Sequence, residues 1–348
     1  MLCARRRAHR ARMTDVPPRT EIRDRFGRVF DYLRVAVTEA CNLRCVYCMP
    51  PEGVDFKAGE HLLSADELLR VVRVAAGLGV TKVRLTGGEP LVRKEIGELV
   101  AGMVRVPGVE SVHLTTNGVL LRERADGLLA AGLRGLNVSL DSLREERFLQ
   151  ITRRPGAGKV LESVRHALAL GFPSGKVHVG VMRGVNDDEL LDVAALTRTA
   201  PLTVRFIELM PFDEHQVWKR GRYFGSELIV ARLREAHPDL AAESGSSTEE
   251  HVYRLPGHAG KVAVIPSYTR SLCGSCNRIR LTADGCIRNC LYSGEEHDLR
   301  PLLRGGATDE ELGELICHAM RQKLVDGWAA QKASQSGPPR TSMTQIGG

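Results

Sequence analysis

The sequence predicts an α/β protein, a partial (βα)6 barrel followed by a smaller C-terminal α+β domain. Between Tyr32 and Met210, six short runs rich in β-branched residues alternate with longer helical patterns. This alternation is typical of a parallel sheet with crossover helices. Five of the six runs have one polar face, and the alternation fades after about residue 225, where the smaller domain is expected to begin.

The strand-like runs follow one another at regular intervals. They span residues 33–38, 80–85, 111–115, 136–140, 177–181 and 204–209. The helical patterns between them span 65–78, 94–104, 122–131, 159–170 and 187–198. Each is long enough to be a crossover helix, and Ser64 with Glu67 forms a capping-box pattern at the start of the first. The alternation alone permits a barrel or a doubly wound sheet.

The polar face of the strands favours the barrel. Successive side chains of a strand point to opposite faces, so the polar residues of each run share one side. They include Arg34, Arg84, His113, Thr115, Asn137, Ser139, Lys176 and His178. An antiparallel sheet with that face in water gives the same pattern, but crossover helices make parallel sheets, which are normally covered on both faces. We therefore expect helices outside and a wet, charged cavity inside.

Charge and composition indicate a globular chain without a nucleic-acid surface. Residues 1–20 contain six arginines and one aspartate, which is +5 of the net charge of +7 over 348 residues. The near-neutral remainder argues against nucleic-acid binding, and a membrane span is not expected because no run of eighteen apolar residues lacks a charge. We expect a disordered basic tail at 1–20, which is either an extension upstream of a start at Met13 or an arginine-rich leader.

Seven of the nine cysteines lie in two groups, which predicts metal ligation in a reducing, cytoplasmic setting. The first group, Cys41, Cys45 and Cys48, has the spacing C-x3-C-x2-C directly after the first strand, at the catalytic end of a βα barrel. Three thiolates hold three irons of a [4Fe-4S] cluster and leave the fourth iron without a protein ligand. A zinc site normally has four ligands, and no fourth lies nearby in sequence.

The first group resembles the signature of the radical S-adenosylmethionine (SAM) superfamily, C-x3-C-x-aromatic-C after the first strand of a partial barrel. Cys41, Cys45, Tyr47 and Cys48 match it, and Gly87-Gly88-Glu89-Pro90 matches a second superfamily element. The missing Cβ of glycine would allow the backbone to approach the SAM methionine moiety closely. The resemblance implies reductive cleavage of SAM at the first cluster to a 5′-deoxyadenosyl radical.

The second group is ambiguous on spacing alone. Cys273, Cys276 and Cys290 have the pattern C-x2-C-x13-C, and Cys286 lies within the spacer, where it completes a set of four zinc ligands. The flanking residues 276–291 resemble the C-terminal cluster motif of the GTP 3′,8-cyclases of molybdenum-cofactor biosynthesis. In that family three cysteines hold a second [4Fe-4S] cluster whose open iron binds guanine.

Further motifs of the same family occur in order along the chain. They are Thr86-Gly-Gly-Glu-Pro90, Thr115-Thr-Asn-Gly118, Asn137-Val-Ser-Leu-Asp141, Gly184-Val-Asn-Asp187, Arg205-Phe-Ile-Glu208 and Ile346-Gly-Gly348. The resemblance implies a lyase that removes hydrogen from C3′ of GTP and joins C3′ to C8, giving (8S)-3′,8-cyclo-7,8-dihydro-GTP. It implies two [4Fe-4S] clusters and SAM as cofactors.

The resemblance also assigns site residues. SAM contacts fall on Tyr47, Gly88, Ser139 and Met210. GTP contacts fall on Arg34, Arg84, Thr115, Lys176, Arg278, Ile279 and Arg280. Cluster ligands fall on Cys41, Cys45 and Cys48 and on Cys273, Cys276 and Cys290. Gly347 and Gly348 are expected to reach the active site and support catalysis.

The sequence also predicts how the chain divides into domains and which molecules it meets. The barrel is placed at 21–225, the auxiliary-cluster domain at 226–335 and a C-terminal tail at 336–348. The expected partners are GTP, a reducing electron donor and a downstream pterin-forming enzyme that receives the product; a homodimer remains open. The rival functions are a peptide-modifying radical SAM enzyme with an auxiliary cluster and a non-catalytic zinc protein that binds nucleic acid.

Overall fold

The computed structural model describes residues 21–211, 221–243, 248–334 and 342–346. The expected basic tail at 1–20 and the expected catalytic residues Gly347 and Gly348 lie outside these ranges. No helix in the described part of the chain is long and apolar enough to cross a membrane.

Six parallel strands form the body of the molecule, as the sequence predicts. They are β1 (Tyr32–Ala36), β2 (Lys82–Thr86), β3 (Ser111–Thr116), β4 (Gly135–Ser139), β5 (Ser174–Val181) and β6 (Thr203–Glu208). They pair in chain order, each parallel to the next. The antiparallel alternative for the polar face is therefore excluded for these strands.

Helices connect the strands. They are α1 (Ala65–Gly77), α2 (Ile96–Val104), α3 (Leu121–Ala130), α4 (Glu145–Thr152), α5 (Ala157–Ala169) and α6 (Leu190–Ala194). The capping box at Ser64 and Glu67 is present at the start of α1. Helix α4 was not predicted, because its eight residues include only Phe148, Ile151 and Thr152 as buried positions and so carry little periodic signal.

The C-terminal part of the chain extends the same sheet at both edges. Its helices are α7 (Ser226–Ala236), α8 (Arg300–Arg304), α9 (Asp309–Arg321) and α10 (Gly327–Ala333). Its strands are β7 (Ala241–Ala242), β8 (His251–Arg254), β9 (Lys261–Ile265), β10 (Arg278–Leu281), β11 (Cys286–Arg288) and β12 (His297–Asp298). Strand β10 pairs parallel to β1, and β9 pairs parallel to β6. The second cysteine group is thereby fixed beside the first strand.

One face of the barrel strands is apolar and the other is polar, as the alternation of side chains along each strand predicts. Val83 and Leu85 of β2 and Val112 and Leu114 of β3 are fully buried in the apolar core under the helices. The opposite face lines a cavity of about 240 Å³. The sheet therefore brings the polar residues of successive strands around one interior space.

Candidate active site: two cysteine groups joined by a cationic cavity

The first cysteine group lies on a loop that several backbone hydrogen bonds hold in place. Gly88 N donates to Thr38 O at 2.8 Å, and Glu89 N donates to Ala40 O at 2.8 Å. On the other side, Val46 N donates to Ile151 O of α4 at 2.8 Å. The loop is thus fixed between the end of β2 and a helix that the sequence did not reveal.

The two glycines after β2 are required by this packing. A Cβ on Gly88 would stand 2.3 Å from Ala40 O and 2.4 Å from Glu39 O, which is far inside contact distance. Gly87 has φ +138°, and a Cβ there would stand 2.3 Å from Thr38 O. Close approach of SAM is the use that the sequence predicts for these glycines; in the structure, close approach of the cysteine loop itself also requires them.

Glu89 ties this loop to the end of β3. Its carboxylate accepts hydrogen bonds from Thr116 Oγ1 and from Asn117 N, each at 2.7 Å. Asn117 Nδ2 in turn lies 3.9 Å from Cys41 Sγ. Burial raises the pKa of Glu89 to about 7. The buried carboxyl group therefore orients a side chain that borders the first cysteine.

The chemistry of the first three thiols fits a metal cluster. Burial raises the pKa of Cys41, of Cys45 and, to about 12, of Cys48. Thiols in such surroundings become thiolates only when a metal compensates the negative charge. Among the described residues no three His, Cys, Asp or Glu side chains converge on one metal ion. Ligation of one iron by each thiolate does not require that convergence.

The C-terminal segment of the described chain covers this group. Ser342 Oγ donates to Cys48 O at 3.1 Å and lies 4.0 Å from Cys48 Sγ. Met343 N donates to Cys48 O at 3.3 Å, and Met343 lines the barrel cavity. Residues 342–346 thus lead the chain to the first cysteine group directly before Gly347 and Gly348.

The second cysteine group lines a cavity of about 90 Å³. Cys273, Cys276 and Cys290 all border it. Burial acts to raise the pKa of Cys276, but the positive charges of Arg278 and Lys323 outweigh it and lower the pKa to about 6. These cations favour the thiolate that iron ligation needs.

Cys286 does not belong to this cavity. It begins β11, where it pairs with Asp298, and its amide donates to Thr282 Oγ1 at 2.8 Å. It lies outside the lining of the cavity that the other three cysteines share. The four-ligand zinc site that spacing left open is therefore not assembled among the described residues.

The two cavities join into one space. Seven residues line both: Met210, Glu249, Ile265, Ser267, Arg278, Arg280 and Leu291. Tyr47, between two cysteines of the first group, also lines the barrel cavity, where its hydroxyl donates to Asp141 Oδ2 at 2.6 Å. A ligand in this space therefore lies between the two cysteine groups.

Cations of neighbouring strands stand side by side in this space. Arg280 of β10, Arg34 of β1 and Arg84 of β2 are register partners. Burial, with the nearby charges of Arg34 and Arg278, lowers the pKa of Arg280 to about 9. Like charges directly across a sheet are destabilising, so the row requires negative charge.

The structure supplies part of that charge from two glutamates. Glu250 pairs with Lys176 Nζ at 3.2 Å and with the guanidinium of Arg205. Glu249 pairs with Arg205 Nη2 at 3.2 Å, and the surrounding cations outweigh burial and lower the pKa of Glu249. Lys176 is thus charge-compensated by an internal salt bridge.

Four of the predicted substrate residues nevertheless carry a buried polar atom without a hydrogen-bond partner. These atoms are Arg34 Nε, Arg84 Nη1, Thr115 Oγ1 and Arg278 Nε. Each residue lines the barrel cavity. Buried donors without partners are costly, so the cavity is built for a polar, anionic ligand.

Most of the predicted SAM and GTP contacts line the shared space. The residues that do so are Tyr47, Ser139, Met210, Arg34, Arg84, Thr115, Arg278 and Arg280. Gly88, Lys176 and Ile279 do not. Ile279 is fully buried in the apolar core as the register partner of Leu33.

Sequence reasoning gave no role to several residues of the cavity. Arg205, His178 and Asp141 line it, and Asp141 Oδ1 accepts a hydrogen bond from Gly180 N at 2.8 Å. The alternation of side chains along β5 predicts that His178 lies on the polar face. The same alternation along β6 predicts that Arg205 also points into the cavity. Burial and the charge of Arg205 lower the pKa of His178, so this side chain is neutral.

Comparison with known proteins agrees with the geometry. Residues 35–197 match the model of the radical SAM superfamily, and residues 202–326 match that of Molybdenum Cofactor Synthesis C. A crystal structure of SuiB from Streptococcus suis bound to S-adenosylmethionine has a TM-score of 0.58 at 13% identity, over 83% of this chain and 68% of that one. This likeness confirms the fold.

Relatives of higher identity span almost the full chain. The GTP 3′,8-cyclase of Chlorobaculum tepidum is 44% identical over 93% of this chain and 96% of its own length. That of Moorella thermoacetica is 42% identical over 94% of this chain and 100% of its own length. Human molybdenum cofactor biosynthesis protein 1 is 43% identical over 86% of this chain and 47% of its own length. The chain therefore belongs to the GTP 3′,8-cyclase family of the radical SAM superfamily.

Proposed function

We propose that this chain converts GTP to (8S)-3′,8-cyclo-7,8-dihydro-GTP, the first step of molybdenum-cofactor biosynthesis. The observation that carries the proposal is the single space between two cysteine groups, lined by in-register arginines with unpaired donors. A triphosphate supplies the negative charge that these arginines need. A space that extends from the second cysteine group to Tyr47 in the loop of the first also allows one nucleotide to approach both clusters.

The cofactors of the reaction are two [4Fe-4S] clusters and SAM. We assign the first cluster to Cys41, Cys45 and Cys48 and the second to Cys273, Cys276 and Cys290. When bound, the first cluster and SAM supply a radical that removes hydrogen from carbon. The protein's own part is to hold SAM beside Tyr47, Ser139 and Met210 and to exclude water from that place.

The substrate is held at both ends. Arg34, Arg84 and Arg280 hold the triphosphate, while the second cysteine group orients guanine. Fixing the ribose between these two anchors places C3′ and C8 for ring closure within one molecule. The product is an isomer of GTP, because one electron and one proton replace the hydrogen atom removed from C3′.

A peptide-modifying activity is not favoured. The relatives that cover this chain are GTP 3′,8-cyclases. SuiB shares the fold at only 13% identity. A row of buried arginines suits a phosphate better than a neutral peptide backbone.

The test is turnover by the anaerobically purified enzyme. We expect about eight irons per chain, from two four-iron clusters. With SAM and dithionite, the enzyme should consume GTP but not ATP, CTP or UTP, and should release 5′-deoxyadenosine with a product of the mass of GTP. Equal consumption of all four nucleotides would contradict the guanine assignment, and stoichiometric zinc would contradict the second cluster.

Substitution of Arg84 should weaken GTP binding. Arg84 is 2% exposed and has an unpaired Nη1 in the cavity. A charged hydrogen bond contributes about 1.5–3 kcal/mol, so R84M should raise the dissociation constant of GTP by about ten- to hundredfold. Equilibrium dialysis without reductant measures this. R165M, which removes an exposed arginine of α5, serves as the control, and equal affinities of the two variants would argue against a triphosphate site here.

The pH dependence of GTP binding should depend on Lys176. Burial lowers the pKa of this amine to about 8. Lys176 does not line the cavity, but its partner Glu250 also pairs with Arg205, which does. A triphosphate bound near this cluster favours the protonated amine, so binding takes up a proton above that pH, and affinity should fall by at most about tenfold per pH unit. In K176R the guanidinium stays charged, so affinity should change little between about pH 7.5 and 8.5, a range that stays below the pKa of about 9 of Arg280. Parallel pH profiles of the two proteins would exclude Lys176 as the titrating group.

Other expectations remain predictions. We propose a cytoplasmic enzyme that receives electrons from a reducing donor and passes its product to a pterin-forming enzyme. A monomer and a homodimer both remain open. Gly347 and Gly348 are proposed to support catalysis, because residues 342–346 lead the chain to the first cysteine group.

A further inference from the structure

Arg270 is a buried cation beside the second cysteine group, and the proposed reaction does not use it. Its side chain lines the same cavity as Cys273, Cys276 and Cys290. The residue is 6% exposed, and Cys273 N donates to its carbonyl oxygen at 3.1 Å. Its φ of +57° lies in the left-handed region that non-glycine residues rarely adopt. The chain therefore accepts a strained turn at the residue whose guanidinium lies in the cavity that the three thiols border.

Aromatic rings hold the guanidinium. Its central carbon lies 3.6 Å from the ring centroid of Tyr292 and 3.9 Å from that of Trp328. Nη2 donates to Gln331 Oε1 of α10 at 2.5 Å. Stacking of this kind fixes the plane and position of the charge and excludes water from it.

The charge of Arg270 has no carboxylate partner in the described part of the chain. Among the described residues the Arg270 guanidinium forms no ion pair within 4.0 Å, and its Nε and Nη1 are buried without a hydrogen-bond partner there. An isolated buried cation is costly unless negative charge lies nearby. Gly327 connects Arg270 to the second cysteine group. A Cβ on Gly327 would stand 2.9 Å from Arg270 Cδ. The amide of Gly327 also donates a hydrogen bond to the Cys273 thiol.

Negative charge arises at this place when the second cluster is bound. A [4Fe-4S]²⁺ core with three thiolates carries a net charge of about −1, and one-electron reduction makes it about −2. A fixed cation in a site of low dielectric stabilises the more negative state. A buried arginine in this cavity is therefore expected to favour the reduced cluster over the oxidised one.

We propose that Arg270 sets the reduction potential of the second cluster, stabilising its reduced form through the stacked guanidinium. The inference rests on the second cluster of the proposed function. It concerns one property of that cluster, its potential, which is measured without GTP turnover.

The test is a potentiometric titration followed by electron paramagnetic resonance. It uses the full chain with Cys41, Cys45 and Cys48 replaced by serine, so that one cluster remains. In this background R270Q should lower the reduced-to-oxidised ratio at fixed potential at least tenfold, which is 59 mV for one electron. R270K, which keeps the charge, should recover part of the shift. R165Q removes an exposed arginine of α5 and should leave the potential unchanged.

A second variant keeps the arginine and changes its neighbour. Q331E places a carboxylate beside Arg270 Nη2 and balances the positive charge of the guanidinium. It should therefore also lower the reduction potential of the second cluster, whereas Q331M should leave that potential unchanged. An unchanged potential in R270Q with its four irons retained would overturn the proposal. If R270Q loses its irons, an unchanged potential in Q331E overturns it instead. Absence of iron from the triple-serine protein itself would contradict the second cluster, and so the proposed function.

Discussion

Replacing Cys45 with alanine is expected to abolish SAM cleavage. Cys45 is held in the loop between the end of β2 and α4, and burial raises its pKa, as it does for the other two thiols. With one of three thiolates missing, the first cluster loses a ligand that no neighbouring described residue replaces. Release of 5′-deoxyadenosine from SAM and dithionite, measured by chromatography, should fall at least a thousandfold, to the rate without enzyme.

The control for this prediction is C317A. Cys317 lies on α9 and borders neither cavity. C317A should keep eight irons and full SAM cleavage, whereas C45A should keep about four irons, all in the second cluster. SAM cleavage by C45A at more than a few per cent of the normal rate would show that the first group is not the SAM site.

Replacing Cys276 with alanine is expected to separate SAM cleavage from GTP conversion. Cys276 is buried, and the charges of Arg278 and Lys323 favour its thiolate. Its loss removes a ligand of the second cluster and leaves the first group intact. Conversion of GTP should fall at least a hundredfold because guanine loses its anchor, while slow release of 5′-deoxyadenosine continues.

The matched control is C286A, ten positions further along the same motif. Cys286 is also buried, but it belongs to β11 and lies outside the cavity. C286A should keep eight irons and convert GTP at close to the normal rate. If C286A instead lost half of its iron and C276A did not, the ligand assignment of the second cluster would be wrong.

The order of residues within short segments of the sequence was enough to predict the barrel, several residues of its cavity and the first cysteine group. The period of two in the strands placed Arg34, Arg84, Thr115 and Ser139 in the cavity, because parallel pairing keeps each strand's polar face on the same side. The first cysteine group could be predicted as a metal site for a similar reason. Its ligands lie within eight consecutive residues, so their proximity does not depend on the rest of the fold.

Strand pairing and side-chain contacts between distant parts of the chain could not be predicted from the sequence. Ile279 was expected at the substrate, but β10 pairs with β1 across more than 240 residues, and that register turns the Ile279 side chain into the core. The partner of Arg205 was missed for the same reason, since Glu249 and Glu250 reach it from a polar stretch that looked like an ordinary loop. Sequence distance also hid Tyr292 and Trp328 as the rings around Arg270.

The pairing of β10 with β1 and of β9 with β6 has a consequence for biosynthesis of the chain. While the nascent polypeptide is shorter than about 265 residues, both outer strands of the six-stranded sheet expose unpaired peptide groups, which are prone to intermolecular association. We therefore expect a truncated product that stops at residue 225 to accumulate in inclusion bodies. The ligands of the second cluster would then gain a stable scaffold only after residues 278–290 have emerged from the ribosome.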